Sequence, residues 1–204
     1  MKLIVFGATG GTGRHIVEQA LAQVHAVTAF ARRPQAFRDR PTLRIVQGDA
    51  MDPPRVEQAL AGQEVALNAL GPTWGSPGDI CSQGTKNIIQ GMRTHGVRWL
   101  IVETAYGASE TSGVNLYTRL LRVVLKRQMD DKDVQEAAIR DSGLDWVIVR
   151  PPRLTNGPKR GTYKVGPDIP IGLFSKISRA DVADFMLKQL TDERYLHQAV
   201  GLRY

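Results

Sequence analysis

The chain holds a single cysteine, Cys81, so no disulfide can form within it and no cysteine-built metal site is available. Its histidines, at positions 15, 25, 95 and 197, are scattered without ligand spacing, which argues against a structural zinc. No apolar run reaches the ~20 residues of a membrane-spanning helix, and the first residues read directly as a strand rather than as a cleavable leader. A soluble, cytoplasmic protein with no membrane partner is the expectation. Also missing is any Tyr-x-x-x-Lys: Tyr106, Tyr117, Tyr163 and Tyr195 are followed four residues later by Glu110, Leu121, Pro167 and Ala199. Carbonyl chemistry by a phenol whose pKa is lowered by a lysine one helical turn on is thereby excluded. Aromatic residues make up 6% and do not interleave with basic ones, so the net charge of +7 carries no sign of base stacking on nucleic acid. The same charge suits an anionic small molecule drawn into a positive cleft.

What is present begins at once. The apolar run Leu3-Ile4-Val5-Phe6 breaks into Gly7-Ala8-Thr9-Gly10-Gly11-Thr12-Gly13, and a helical pattern with Ile16, Val17, Ala20 and Leu21 follows. A sharp strand-to-helix turn of bare backbone, aiming unpaired N–H groups and a positive dipole end outward, is a cradle for a dinucleotide's pyrophosphate. The spacing is G-x-x-G-x-x-G rather than G-x-G-x-x-G, so its place between strand and helix carries the reading. Gly7, Thr9, Gly10, Gly11, Thr12 and Gly13 are the expected phosphate-binding residues. The next strand, 26–31, ends in Arg32-Arg33, and no acid occurs between Glu18 and Asp39. An NAD site favours an acid at that strand end, an NADP site arginine. NADPH is therefore the expected cofactor, with two solvated arginines opening a loop as the alternative.

Strand patterns at 2–6, 26–31, 43–47, 64–69, 98–103 and 145–149 alternate with helical ones at 12–23, 54–61, 79–95, 113–141 and 179–190. Such alternation predicts an α/β fold, one doubly wound parallel sheet of the Rossmann kind with helices on both faces, in a single domain over 1–204. Ligands of such sheets gather beyond the carboxyl ends of the strands. After the third strand, Gly48-Asp49-Ala50 can offer a carboxylate to an adenine amino group, or form a plain turn. Leu70 and Gly71 end the fourth, where small residues let backbone pass a ribose. Thr104-Ala105-Tyr106 ends the fifth, and Arg150-Pro151-Pro152-Arg153 the sixth. Tyr106 and Trp74 are candidate aromatics for a planar substrate. Lys132 either helps neutralise an anionic substrate or, among Asp130, Asp131 and Asp133, belongs to a solvated helix face. The stretch 116–128 carries an apolar stripe opposite a strongly basic side.

The glycine motif, Arg32, Gly48-Asp49, His95-Gly96-Val97, and Asp141-Ser142-Gly143-Leu144-Asp145-Trp146 leading to Arg150-Pro151-Pro152 resemble the atypical short-chain dehydrogenase/reductases. Within these the chain is most similar to the biliverdin reductase B, or NADPH-dependent flavin reductase, family, and the likeness extends to Ile177-Ser178-Arg179-Ala180-Asp181-Val182-Ala183. The resemblance implies a monomer in which NADPH gives a hydride to flavins such as FMN, riboflavin or FAD, and to a linear tetrapyrrole such as biliverdin. It places Pro151 and Pro152 beside the cofactor and makes Thr104, Tyr106 and Arg153 the candidate catalytic residues. Members carry Thr-Ser and Pro-Pro-His where this chain has Thr104-Ala105 and Pro151-Pro152-Arg153, so an acid role at those two positions is in doubt. Flavin reduction tolerates that loss, since water can supply the proton. Arg153 can instead pair with a propionate or a flavin phosphate. The rival expectation is a redox sensor that binds NADP(H) through the same cradle and signals to a protein partner without turnover.

Overall fold

The computed structural model of the chain describes residues 1–34, 37–38, 40–73 and 75–204, which leaves Trp74 outside the described residues. In chain order the elements are β1 (Lys2–Phe6), α1 (Gly11–Ala22), β2 (Ala26–Ala31), β3 (Leu43–Gln47), α2 (Pro53–Leu60), β4 (Val65–Asn68), α3 (Ile80–Thr94) and β5 (Trp99–Glu103). The second half adds α4 (Leu116–Val124), α5 (Lys126–Arg140), β6 (Asp145–Arg150), β7 (Arg153–Thr155), β8 (Lys164–Gly166), β9 (Lys176–Ser178), α6 (Arg179–Lys188) and β10 (Gln198–Arg203). The main sheet runs in the order β3-β2-β1-β4-β5-β6-β10-β8, and β7 pairs with β9 in a small separate ribbon. All pairings of the main sheet are parallel except β8 against β10.

The strands are apolar on both sides because both sides are covered. In β1, Leu3 and Val5 point to a core built with Ile16, Val17 and Ala20 of α1 and Val182 and Met186 of α6. Ile4 and Phe6 point the other way, to Val56 and Leu60 of α2, Ile88 and Met92 of α3 and Ile139 of α5. The doubly wound Rossmann architecture expected from the alternating pattern is what the chain adopts.

The structure differs from the sequence reading in its long helix and in the strands that follow β6, where β7, β8, β9 and β10 were not expected. The helix expected over 113–141 is two helices that break at Leu125 (φ −114°, ψ 34°), the first capped by Asn115, whose side chain accepts from the Thr118 amide. The stretch after α6 yields a further parallel strand, β10, against β6. Its pattern is weak because Gly201 interrupts it, and the structure explains that glycine: a Cβ there would lie 2.8 Å from Ile171 Cδ1.

Packing is tight where α1 crosses β1. A side chain on Gly13 would collide with the Gly7 carbonyl, and Gly7 itself sits at φ +71° over the carbonyl of Ala69. Gly13→Ala is therefore expected to cost about 3 kcal/mol or to prevent folding. Gly172→Ala, where no atom lies within 4 Å of the added Cβ, should cost less than about 0.5 kcal/mol. Urea unfolding of the two variants checks this, and equal losses would refute it.

Candidate functional site

Two cavities along the strand ends carry residues that the sequence singled out. The first, about 570 Å³, is lined by Gly7, Thr9 and Gly10 after β1, Arg32 and Arg33 after β2, Asp49 and Ala50 after β3, and Leu70 and Gly71 after β4. The turn into α1 is closed by the Gly10 amide donating to Gly7 O at 2.9 Å, and the first intrahelical bond runs from Arg14 N to Gly10 O at 3.0 Å. The amides of Gly11, Thr12 and Gly13 precede that bond and so have no intrahelical acceptor. These three residues do not line the cavity surface; they form the helix end behind it. Arg32 Nη2 donates to Thr73 Oγ1 at 3.0 Å, which leans the guanidinium toward the loop after β4. Gly48 lets the ring of Phe30 close the floor, since a Cβ there would lie 2.5 Å from Phe30 Cζ. Asp49 Oδ1 accepts from the Met51 amide at 3.0 Å, so the carboxylate also makes the turn that was its alternative reading. Unpaired first-turn amides beside two guanidiniums are the donor set a dinucleotide's phosphates require, and the side-chain-free positions at 7 and 13 bring backbone up to meet them.

Arg179, the first residue of α6, was not anticipated as part of this end. Its Cδ and Nε would lie 2.5 and 2.6 Å from a Cβ on Gly11, so its stem lies across that glycine, and its Nη1 donates to Asn156 Oδ1 at 2.7 Å.

Behind the crevice runs the inward face of α5, and here the solvated-face reading of Lys132 is overturned. Lys132 is 6% exposed. Its Nζ donates to Gln135 Oε1 at 3.0 Å, to Leu70 O at 3.3 Å and to Glu103 O at 3.4 Å, joining the ends of β4 and β5. Asp131 accepts from the Cys81 and Ser82 amides at 3.0 and 2.9 Å and so caps α3 from the neighbouring helix. Asp130 and Asp133 are the members of the run that stay at the surface, paired with Lys126 and Arg122. Glu103 is buried, and Thr12 Oγ1 donates to it at 3.0 Å. Burial pushes its carboxyl above the usual range, against the pull of Lys132, the Thr12 hydrogen bond and Arg179.

The second cavity, about 500 Å³, is lined by Ala105, Tyr106, Pro151, Pro152 and Arg153 from the ends of β5 and β6, by Tyr117, Leu121, Leu125 and Met129 from α4 and α5, and by Leu173 and Phe174. Arg153 is the charged residue of this lining. Burial raises the phenols of both Tyr106 and Tyr117, against the pull of Arg150 and Arg153 respectively, so both are neutral donors at ordinary pH. Thr104, expected here as a catalytic residue, lines neither cavity. Its hydroxyl donates to Glu136 Oε1 at 2.8 Å, on the α5 side, while its neighbour Ala105 lines the cavity. Glu136 is also bound by Arg150, through Nε at 2.9 Å and Nη2 at 2.5 Å, and Arg150 reaches Glu110 at 2.9 and 2.8 Å. Partial burial raises the Glu110 carboxyl, but the Arg150 hydrogen bonds outweigh it and hold the group at about 2.

A family model described as NAD(P)H-binding matches residues 7–193. The chain belongs to this NAD(P)H-binding family. An uncharacterised chloroplastic protein of Arabidopsis thaliana is 29% identical over 217 residues, covering 98% of this chain and 76% of that protein. The reductase pytE of Aspergillus terreus is 28% identical over 255 residues, covering 98% and 96%. Among solved structures, the anaerobilin reductase ChuY of Escherichia coli O157:H7 superposes with a TM-score of 0.84 at 21% identity, covering 99% of this chain and 96% of that one, a likeness of fold. The glycine turn was legible from spacing, and of the strand-end residues Arg32, Arg33, Asp49, Ala50, Leu70 and Gly71 line the first cavity. Lys132 and Arg179 were not legible, since a lysine in a run of acids and an arginine opening a helix both look like surface residues. The available signal for Lys132 was its register, three residues from Met129 and seven from Ile139 on one helix face.

The buried pair behind the cavity gives two expectations. Glu136→Ala leaves Arg150 and Thr104 without their shared acceptor and should cost about 3–5 kcal/mol in urea unfolding. Because Glu110 is depressed in the fold, its contribution to stability is complete above the ordinary carboxylate pKa of 4.5 and is lost as pH falls toward about 2. Glu110→Gln should flatten that acid limb in stability measured between those pH values; an unchanged limb would contradict it.

Proposed function

We propose that the chain is an NADPH-dependent reductase whose hydride acceptor is a planar, electron-poor ring of the flavin class, with linear tetrapyrroles as further acceptors. The observation that carries this reading is a pair of cavities along the strand ends: an arginine-bearing dinucleotide cradle after β1 to β4, and a mainly apolar cavity after β5 and β6 whose lining presents no carboxylate, histidine or Tyr-x-x-x-Lys pair. Bound NADPH supplies a hydride from nicotinamide C4 and leaves as NADP+, and water supplies the proton that completes reduction of the acceptor. Gly7, Thr9 and Gly10, which line the cavity at the N-terminus of α1, meet the pyrophosphate. Arg32 and Arg33 meet the 2′-phosphate, and Asp49 and Ala50 border the adenine. Leu70 and Gly71 pass beside the ribose next to Lys132. Pro151 and Pro152, expected beside the cofactor, line the second cavity instead and with Tyr106 wall the acceptor side, Ala105 leaves room where related reductases carry a serine, and Arg153 pairs with the acceptor's phosphate or propionate. The protein's part is to hold two planes in contact and keep them aligned. The name of the Aspergillus relative, a reductase, agrees with this class of reaction.

The decisive measurement is NADPH oxidation at 340 nm by the purified protein with and without FMN, then with biliverdin, with NADH as parallel donor. Flavin-dependent turnover preferring NADPH is expected. Tight NADPH binding with no acceptor reduced would replace this reading with the NADP(H) sensor. The double variant Arg32→Ala/Arg33→Ala should raise KM for NADPH by about tenfold or more, the scale of a lost charge-assisted hydrogen bond, and leave NADH within about threefold. Equal losses for both donors would refute the 2′-phosphate assignment.

A further inference from the structure

The apolar stripe of α4 does not face the core. Leu116, Leu120, Val123 and Val124 share one helix face at the spacing i, i+4, i+7, i+8 and are all exposed, Leu116 by 82% and Val123 by 79%. No residue of α4 belongs to either core, and only Thr118 is fully buried. The adjacent helix face, Tyr117 and Leu121, lines the acceptor cavity together with Leu173 and Phe174, and Phe174 is 87% exposed at its rim. Asn115 Nδ2 donates to Ile171 O at 2.7 Å, which fastens the start of α4 to that loop. The stripe and the cavity mouth therefore form one continuous apolar surface.

Exposed cations surround it: Arg119 on α4, Arg127 in the first turn of α5, Arg153 in the cavity wall and Lys176 two residues after Phe174. None of these pairs with an acid among the described residues, whereas the acids of this neighbourhood, Asp130 and Asp133, are taken up by Lys126 and Arg122. Asp168 lines a separate hollow beyond Val114 and Asn115.

We propose that this face is a docking surface for an anionic lipid bilayer, with α4 lying in the membrane plane and the mouth of the acceptor cavity opening against the lipid. An amphipathic helix with an outward apolar face and a basic rim inserts that face at the headgroup boundary while its cations meet anionic lipid. No spanning helix is needed for this, and none of the helices among the described residues is long and apolar enough to be one. A second copy of the chain fits the same face poorly. An isologous contact would set Arg119, Arg127, Arg153 and Lys176 against their own images in a protein that already carries +7. Docking rests on the surface alone. Its consequence, that the cavity takes an acceptor dissolved in the lipid, rests on the reductase reading.

The test is co-sedimentation of the whole chain with phosphatidylcholine vesicles containing about one-third phosphatidylglycerol, against pure phosphatidylcholine vesicles. The expected result is a bound fraction at least about fivefold higher on the anionic vesicles, lost in high salt and lost in Leu120→Glu/Val123→Glu. These two side chains line neither cavity, so the variant should keep its thermal unfolding midpoint and its turnover of soluble FMN without vesicles. Equal binding to both vesicle types, no binding, or binding that survives the substitution would overturn the proposal. So would a concentration-dependent dimer in sedimentation velocity that the same substitution dissolves. Anionic binding without flavin turnover by either protein would uphold docking and defeat the reductase reading alone.

Discussion

Burying a stripe of polar groups on one helix is the constraint around which the crevice is organised. From α5, Asp131, Lys132, Gln135 and Glu136 all point inward, and each is 8% exposed or less. Leaving any one of them unpaired would cost about 1–3 kcal/mol, more for the charged ones. Each therefore has its partner: the amides opening α3, the carbonyls ending β4 and β5, the Thr85 hydroxyl at 2.9 Å, and Arg150. Asn68 at the end of β4 joins the same hydroxyl at 2.8 Å and accepts from the Leu70 amide at 2.9 Å. These requirements fix where β4, β5 and β6 stop, and the strand ends in turn define both cavities. An apolar α5 would bury more surface and specify none of these positions.

The same seam reaches the glycine turn through Glu103. A buried carboxylate beneath the first turn of α1 is favoured by the helix dipole and by Lys132 nearby, and disfavoured by burial. The glycine turn that Thr12 belongs to is where a pyrophosphate would bring negative charge. Lys132 on one side and Arg179 on the other offset that charge, and both also act on Glu103. The cradle is thus more than a glycine loop. Its electrostatics are set by residues from α5 and α6, far away in sequence, that only folding brings to it.

This explains which parts the sequence revealed. β1 to β6 were legible because strands covered on both faces are continuously apolar, and the glycine turn because close approach admits no other residue at 7 and 13. β10 was illegible because Gly201 serves packing against Ile171 and breaks the pattern. Thr104 bonds to Glu136 while its neighbour Ala105 lines the second cavity, a difference of one residue that no strand-end reading resolves. Lys132 was misread because a charged run looks solvated unless the partners of its inward members are known. The apolar stripe of α4 was visible in the sequence, but periodicity gives only the presence of a stripe. Whether it turns to the core or to the outside depends on what the neighbouring elements have already covered.

Here α2, α3 and α5 already cover their face of the sheet, and α4 is left above α5 with only Thr118 fully buried. That position has a consequence for the acceptor side. The inner wall of the second cavity is rigid: Tyr106 is held through its amide to Pro151 O at 2.9 Å, and behind it Arg150 is clamped between Glu136 and Glu110. The outer wall consists of Tyr117 and Leu121 on a nine-residue helix and of the exposed Leu173 and Phe174. Few buried contacts hold that wall, so its local stability falls below that of the sheet. In the reductase we propose, a yielding outer wall would let the site take acceptors of different outline against the inner wall. The division of labour follows from where the polar partners of α5 ran out.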